Sequence, residues 1–164
     1  MRLMKSYQSL VLVLAFVFSQ IAFAEGKFPL GPVASQTPGE LCQDSPVRRY
    51  PENIVYCERN VDTAMKNQII KMYDEKFGYS IRSMSRGDFK IDHFVPLSIG
   101  GSNGIDNLWP QHKSVYGITD DLEQVLFDKI SLGKIKQDDA IRVIREGKIH
   151  LEKVPDLLNY VNGL

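Results

Sequence analysis

Residues Lys90–Glu123 read KIDHFVPLSIGGSNGIDNLWPQHKSVYGITDDLE, and this stretch decides the fold. It opens on an Asp-His pair, Asp92-His93, inside the apolar run from Phe89 to Val95, which reads as a strand. Pro96 ends regular pairing, and Gly100-Gly101-Ser102-Asn103-Gly104 is turn chemistry that permits positive φ. Leu108-Trp109 begins a short return strand, so the two strands form a hairpin. Thr119 then reads as a helix N-cap, with Asp120, Asp121 and Glu123 favouring the positive end of the helix dipole. Two of the three histidines and the sole tryptophan fall in this stretch.

Working outward, Met65, Ile69, Met72, Tyr73 and Phe77 recur at helical spacing, predicting a helix from Val61 or Thr63 to about Phe77 with Gly78 as its stop. Leu122, Val125, Leu126 and Ile130 give the helix after the hairpin its apolar face, ending at Gly133. A further helix over about Gln137–Arg145 buries Ile141 and Ile144, and Pro155–Val161 forms a last short one. The order is helix, hairpin, helices: an α+β fold in one small domain over 41–164, with its core at 79–132. Residues 25–40 are rich in Gly, Pro, Ser and Thr without apolar period, and read as a flexible lead-in.

Residues 1–24 have the form of a signal peptide. Arg2 and Lys5 are followed by the apolar run Leu10–Phe18 and by Ala22-Phe23-Ala24, a small-x-small cleavage site. An exported, periplasmic or secreted protein is the expectation. The chain carries 20 basic and 20 acidic residues; losing Arg2 and Lys5 with the leader leaves 18 against 20, net −2. A grip on nucleic acid must then come from a local patch rather than a general cationic field. Cys42 and Cys57 both follow the cleavage site and read as a disulfide, stabilising by roughly 3 kcal/mol for a loop of this length.

The chemistry that suits Asp92-His93 is phosphodiester hydrolysis. A neutral imidazole activates water near neutral pH, and a divalent cation stabilises the charge developing on phosphorus and the leaving oxygen. Neighbours on a strand point to opposite sides, so Asp92 and His93 address different partners.

The ordered set Asp92-His93, Pro96-Leu97, Gly100-Gly101, Asn107 and Leu108-Trp109-Pro110-Gln111-His112 resembles the HNH (ββα-metal) nuclease motif. Asp121-Leu122-Glu123 and Leu132-Gly133-Lys134 extend the resemblance to a subgroup of small exported bacterial HNH proteins, over roughly Tyr79–Ile144. The resemblance implies that His93 is the general base, Asp92 a metal ligand, and Asn107 the residue that holds the loop and the histidine. It also implies one divalent metal ion, Mg²⁺ or Mn²⁺ first, with Zn²⁺ and Ca²⁺ left open. The family's last ligand falls nine residues after the middle Asn, where this chain has Tyr116, a poor ligand for Mg²⁺. His112 is the expected substitute, with Asp120 or Glu123 as alternatives from the helix start.

Arg82, Arg86 and Lys90 before and on the strand, and Lys113 after the hairpin, are the expected phosphate contacts. The expected partner is DNA, with RNA second, cut with little sequence preference through backbone contacts. A catalytically degenerate domain that binds nucleic acid or another partner without cutting is the alternative. An immunity or inhibitor protein is a further partner that no surface in the sequence reveals. Trp109 is expected in the core, and His150 carries no assigned role.

Overall fold

The computed structural model describes residues 26–164; the signal-peptide reading lies outside the described residues. The chain is a mixed α+β fold whose centre is an antiparallel hairpin of β3 (Phe89–His93) and β4 (Leu108–His112), followed at once by α2 (Lys113–Ser131). Helix α1 (Thr63–Phe77) precedes the hairpin, and α3 (Gln137–Ile149) and α4 (Val154–Asn162) follow. A second, two-residue hairpin, β1 (Arg48–Arg49) with β2 (Ile54–Val55), sits near the disulfide. Among the described residues no helix is long and apolar enough to cross a membrane.

Pairing Phe89 with His112, Ile91 with Pro110, Asp92 with Trp109 and His93 with Leu108 fixes which side chains share a face. Phe89 and Ile91 join Ile69, Ile70 and Tyr73 of α1 in one apolar cluster, with Leu108 and Trp109, both fully buried. On the other side, Val95 and Ile99 pack with Leu122, Leu126 and Ile130 of α2 and with Ile141 and Ile144 of α3 in a second cluster. Both strands of the hairpin thus contribute to the first cluster, and the loop that follows β3 contributes Val95 and Ile99 to the second.

Helix α1 is bounded as its sequence predicts. The Asp62 side chain accepts a hydrogen bond from the Met65 amide at 2.7 Å, and Gly78 closes the helix at φ 75°. Helix α2 begins seven residues earlier than expected. Its N-cap is His112, whose side chain accepts from the Ser114 amide, while Thr119 lies fully buried inside the helix with its hydroxyl 3.0 Å from Nε2 of Gln111. A capping threonine and a threonine satisfied across a helix–strand contact look alike in sequence.

The segment read as a flexible lead-in is built into the fold. Thr37 is fully buried, its hydroxyl bonded to the Tyr73 hydroxyl (2.8 Å) and the Leu108 carbonyl (3.2 Å). Phe28 and Val33 pack on the α1 cluster, and the Gly39 amide donates to the Asp106 carbonyl. Dispersed anchors such as these leave no periodic trace, which is why the composition suggested otherwise.

Candidate functional site

The loop between β3 and β4 is held from inside by Asn107. Its Oδ1 accepts from the Val95 amide (2.8 Å), and its Nδ2 donates to the carbonyls of Val95 (2.9 Å) and Ser102 (2.8 Å). A side chain with both donor and acceptor is needed there, and Asn107 is fully buried. Gly101 completes the closure: a Cβ on it would lie 1.8 Å from the Val95 carbonyl oxygen. The loop is also held from outside, where the Cys42 amide donates to the Gly100 carbonyl.

Cys42 is bonded to Cys57, with Cα atoms 5.7 Å apart, so the expected disulfide is present. It carries the chain into Glu58–Asn60, which lies over Asn103. Asn103 donates from Nδ2 to the Glu58 carbonyl (2.7 Å), and its Oδ1 accepts from the Asn60 amide (3.2 Å). Those two bonds fix the amide's orientation, so Oδ1 is the atom that faces Nε2 of His93 at 3.2 Å. An amide oxygen only accepts; Nε2 of His93 therefore carries the proton and Nδ1 the lone pair.

His93 is 3% exposed. Burial disfavours the imidazolium and pushes its pKa down to about 4, despite the opposing influence of Asn103 and Asp92; the nearby Arg59 and Lys148 lower it further. The ring is neutral at ordinary pH and able to accept a proton at Nδ1. The exposed Arg59 guanidinium donates to the Ile91 carbonyl at 3.1 Å, close enough to His93 to disfavour its imidazolium.

Asp92 faces the opposite way, toward α2 and α3. Its Oδ2 accepts from Nζ of Lys148 at 3.0 Å, and the same ammonium donates to the His93 carbonyl at 2.6 Å and lies 2.5 Å from Oε1 of Glu123. Lys148 is fully buried. Lys90 lies 4.0 Å from Asp92 and 2.8 Å from Asp120. Burial alone would raise the Asp92 pKa, but the ammoniums of Lys148 and Lys90 outweigh it and hold Asp92 ionised; burial pushes Glu123 up, with Lys148 only partly compensating. Lys148, which burial would neutralise, is kept charged by Asp92 and Glu123.

The ligand set implied by the HNH resemblance is not assembled. His112 pairs with Phe89 in the hairpin register and so lies on the His93 face at the far end, while Asp92 is on the other face. Its ring stacks on Phe28 at 3.9 Å between centroids, and its Nδ1 lies 2.8 Å from the Ser114 hydroxyl. Among the described residues, no group of three or more His, Cys, Asp or Glu side chains is placed to hold a metal ion. Of the two alternatives, Asp120 pairs with Lys90, and Glu123 does approach Asp92, but with an ammonium between them. The donors present do not fit a divalent metal.

The expected phosphate contacts are also spread out. Arg82 pairs with Asp74 (3.1 Å) and Glu75, Arg86 donates to the Phe89 carbonyl (2.6 Å), and Lys113 pairs with Asp88 (2.8 Å). Arg86 and Lys113 flank the Phe89–His112 end of the hairpin, and Arg82 and Arg86 line a cleft there with Phe89. His93 is four residues further along β3, about 13 Å at the usual strand rise. Lys90 alone of the four lies beside the Asp92 cluster.

The sequence reading missed Asn103, taken only as a turn residue, and Arg59, for which no local pattern exists. It also missed Lys148, although Ile141, Ile144 and Lys148 follow helical spacing on one face of α3, and a lysine on an apolar face is a signal of burial. Comparison with family models, curated proteins and solved structures found no match.

Proposed function

We propose that this chain is an exported nuclease of the HNH kind, hydrolysing phosphodiester bonds of DNA, with RNA as second substrate, through water activated by His93. The observation that carries the reading is the state of His93: a neutral imidazole on the hairpin, oriented by Asn103, with Nδ1 left as the basic atom. Asn107 supports the reading by tying the loop that presents it. Nδ1 takes the proton from water as its oxygen bonds to phosphorus, the P–O bond to the leaving sugar oxygen breaks, and that oxygen takes a proton from solvent; the Arg59 guanidinium approaches the phosphate oxygens. No step is routed through a metal ion, because the donors around Asp92 are engaged by lysine. The His93 ring is enclosed by Asn103 and the Glu58–Asn60 strand of chain, so substrate entry requires that cover to shift.

A second reading, a domain that binds nucleic acid without cutting it, is favoured by the burial of His93. Incubating the oxidised full chain with plasmid DNA and with RNA separates the two. Cutting that disappears in His93→Ala supports the nuclease; retention of both nucleic acids uncut by a folded chain supports the binding module.

A further inference from the structure

Lys148 sits where a cation has three oxygen neighbours of the kind hard divalent ions choose. Around its nitrogen lie a carboxylate oxygen of Asp92 at 3.0 Å, a carboxylate oxygen of Glu123 at 2.5 Å and the backbone carbonyl of His93 at 2.6 Å. The oxygens come from two elements, β3 supplying two and α2 one, and the lysine itself arrives from a third, α3. Asp92 and the His93 carbonyl accept hydrogen bonds from the ammonium, and Glu123 adds an ion-pair contact, so two carboxylates and a carbonyl surround this one cation. Beside it, a groove of about 390 Å³ lined by Lys90, Ser98, Asp120, Glu123, Gln124 and Phe127 leads from the surface to Glu123.

Displacing Lys148 would strand a fully buried ammonium without its carboxylates, an arrangement that costs more than the pair gains from water. Removing its side chain would instead leave two carboxylates and a carbonyl facing an unfilled space. We propose that Lys148 is the resident cation of this centre: its ammonium takes the place of a divalent ion between Asp92 and Glu123. The protein as it stands then binds no divalent cation there, and loss of the lysine converts the same oxygens into a divalent-cation site. The inference stands on this geometry, and its test does not require that the chain cut nucleic acid.

The test measures Mn²⁺ binding by electron paramagnetic resonance and thermal unfolding with and without Mn²⁺. It compares the oxidised full-length chain, Asp92→Asn, Lys148→Ala and Lys148→Ala/Asp92→Asn. The expected result is Mn²⁺ affinity higher in Lys148→Ala than in wild type by roughly tenfold or more, with a Mn²⁺-dependent rise in unfolding temperature. Both gains should be lost in the double variant. Wild-type Mn²⁺ uptake that Asp92→Asn abolishes would overturn the proposal, because the metal would then displace the lysine. A folded Lys148→Ala that gains no Mn²⁺ affinity would overturn it equally. If Lys148→Ala folds only when Mn²⁺ is present, the proposal is supported. If it folds under neither condition, the wild-type arm decides: no uptake dependent on Asp92 sustains the resident ammonium, and such uptake rejects it.

Discussion

Oδ1 of Asn103 lies 3.2 Å from Nε2 of His93, and the amide that presents it is fixed by two backbone groups of Glu58 and Asn60. This relationship selects the tautomer of His93, and it joins the hairpin to a segment that the disulfide Cys42–Cys57 holds in place.

Asn103→Asp tests the tautomer. A carboxylate facing Nε2–H favours the imidazolium, so the His93 pKa rises. The basic form then needs a higher pH, and the acid limb of the pH–rate profile moves upward. Nuclear magnetic resonance titration of His93 reports the same shift whether or not the chain cuts; an unmoved titration contradicts the contact.

Burial of neutral His93 makes stability depend on pH. The ordinary histidine pKa is 6.5 and the folded value about 4, so below pH 6.5 the unfolded chain binds a proton that the folded chain refuses. The contribution is fully present above pH 6.5 and is lost progressively as pH falls toward 4. The full shift corresponds to about 3 kcal/mol. Denaturant unfolding at several pH values should show this slope in the wild type and a flatter one in His93→Gln.

Asn107→Asp keeps the size of the side chain and replaces the Nδ2 donor with an acceptor. That acceptor would face the carbonyls of Val95 and Ser102, both of which now receive hydrogen bonds. A loss of about 3 kcal/mol is expected on unfolding, far beyond a surface substitution. An unchanged stability would mean that the loop closes without this side chain.

His112→Ala separates the hairpin faces. Loss of the N-cap bond to Ser114 should cost about 1 kcal/mol, while cutting per folded molecule stays unchanged. A loss of cutting in a stably folded His112→Ala would return this residue to the site and contradict its placement against Phe28.

The parts legible in sequence were those encoded locally. The hairpin, the buried Trp109, α1 with its Gly78 stop, and the cysteine pairing rest on alternation, helical spacing, turn residues or cysteine count. The surroundings of the site were not encoded that way. Lys148 meets Asp92 across 56 positions, and Asn103 reaches the Glu58 carbonyl across 45. A motif specifies which residues stand near one another along a hairpin, not what arrives from other elements. The substitution of an ammonium for a metal shell was thus invisible until α3 was placed. The position of His112 failed for a related reason: its spacing from Asn107 was compatible with a ligand, but hairpin register put it on the face away from Asp92.

The most direct measurement is cleavage of plasmid DNA and RNA by the oxidised full chain beside His93→Ala, with the fold of each checked by circular dichroism. Cutting by the wild type is expected, with its loss, by roughly a hundredfold or more, in a folded His93→Ala. Equal cutting by the two proteins, or none by a folded wild type, would contradict the claim that His93 is the base of a nuclease.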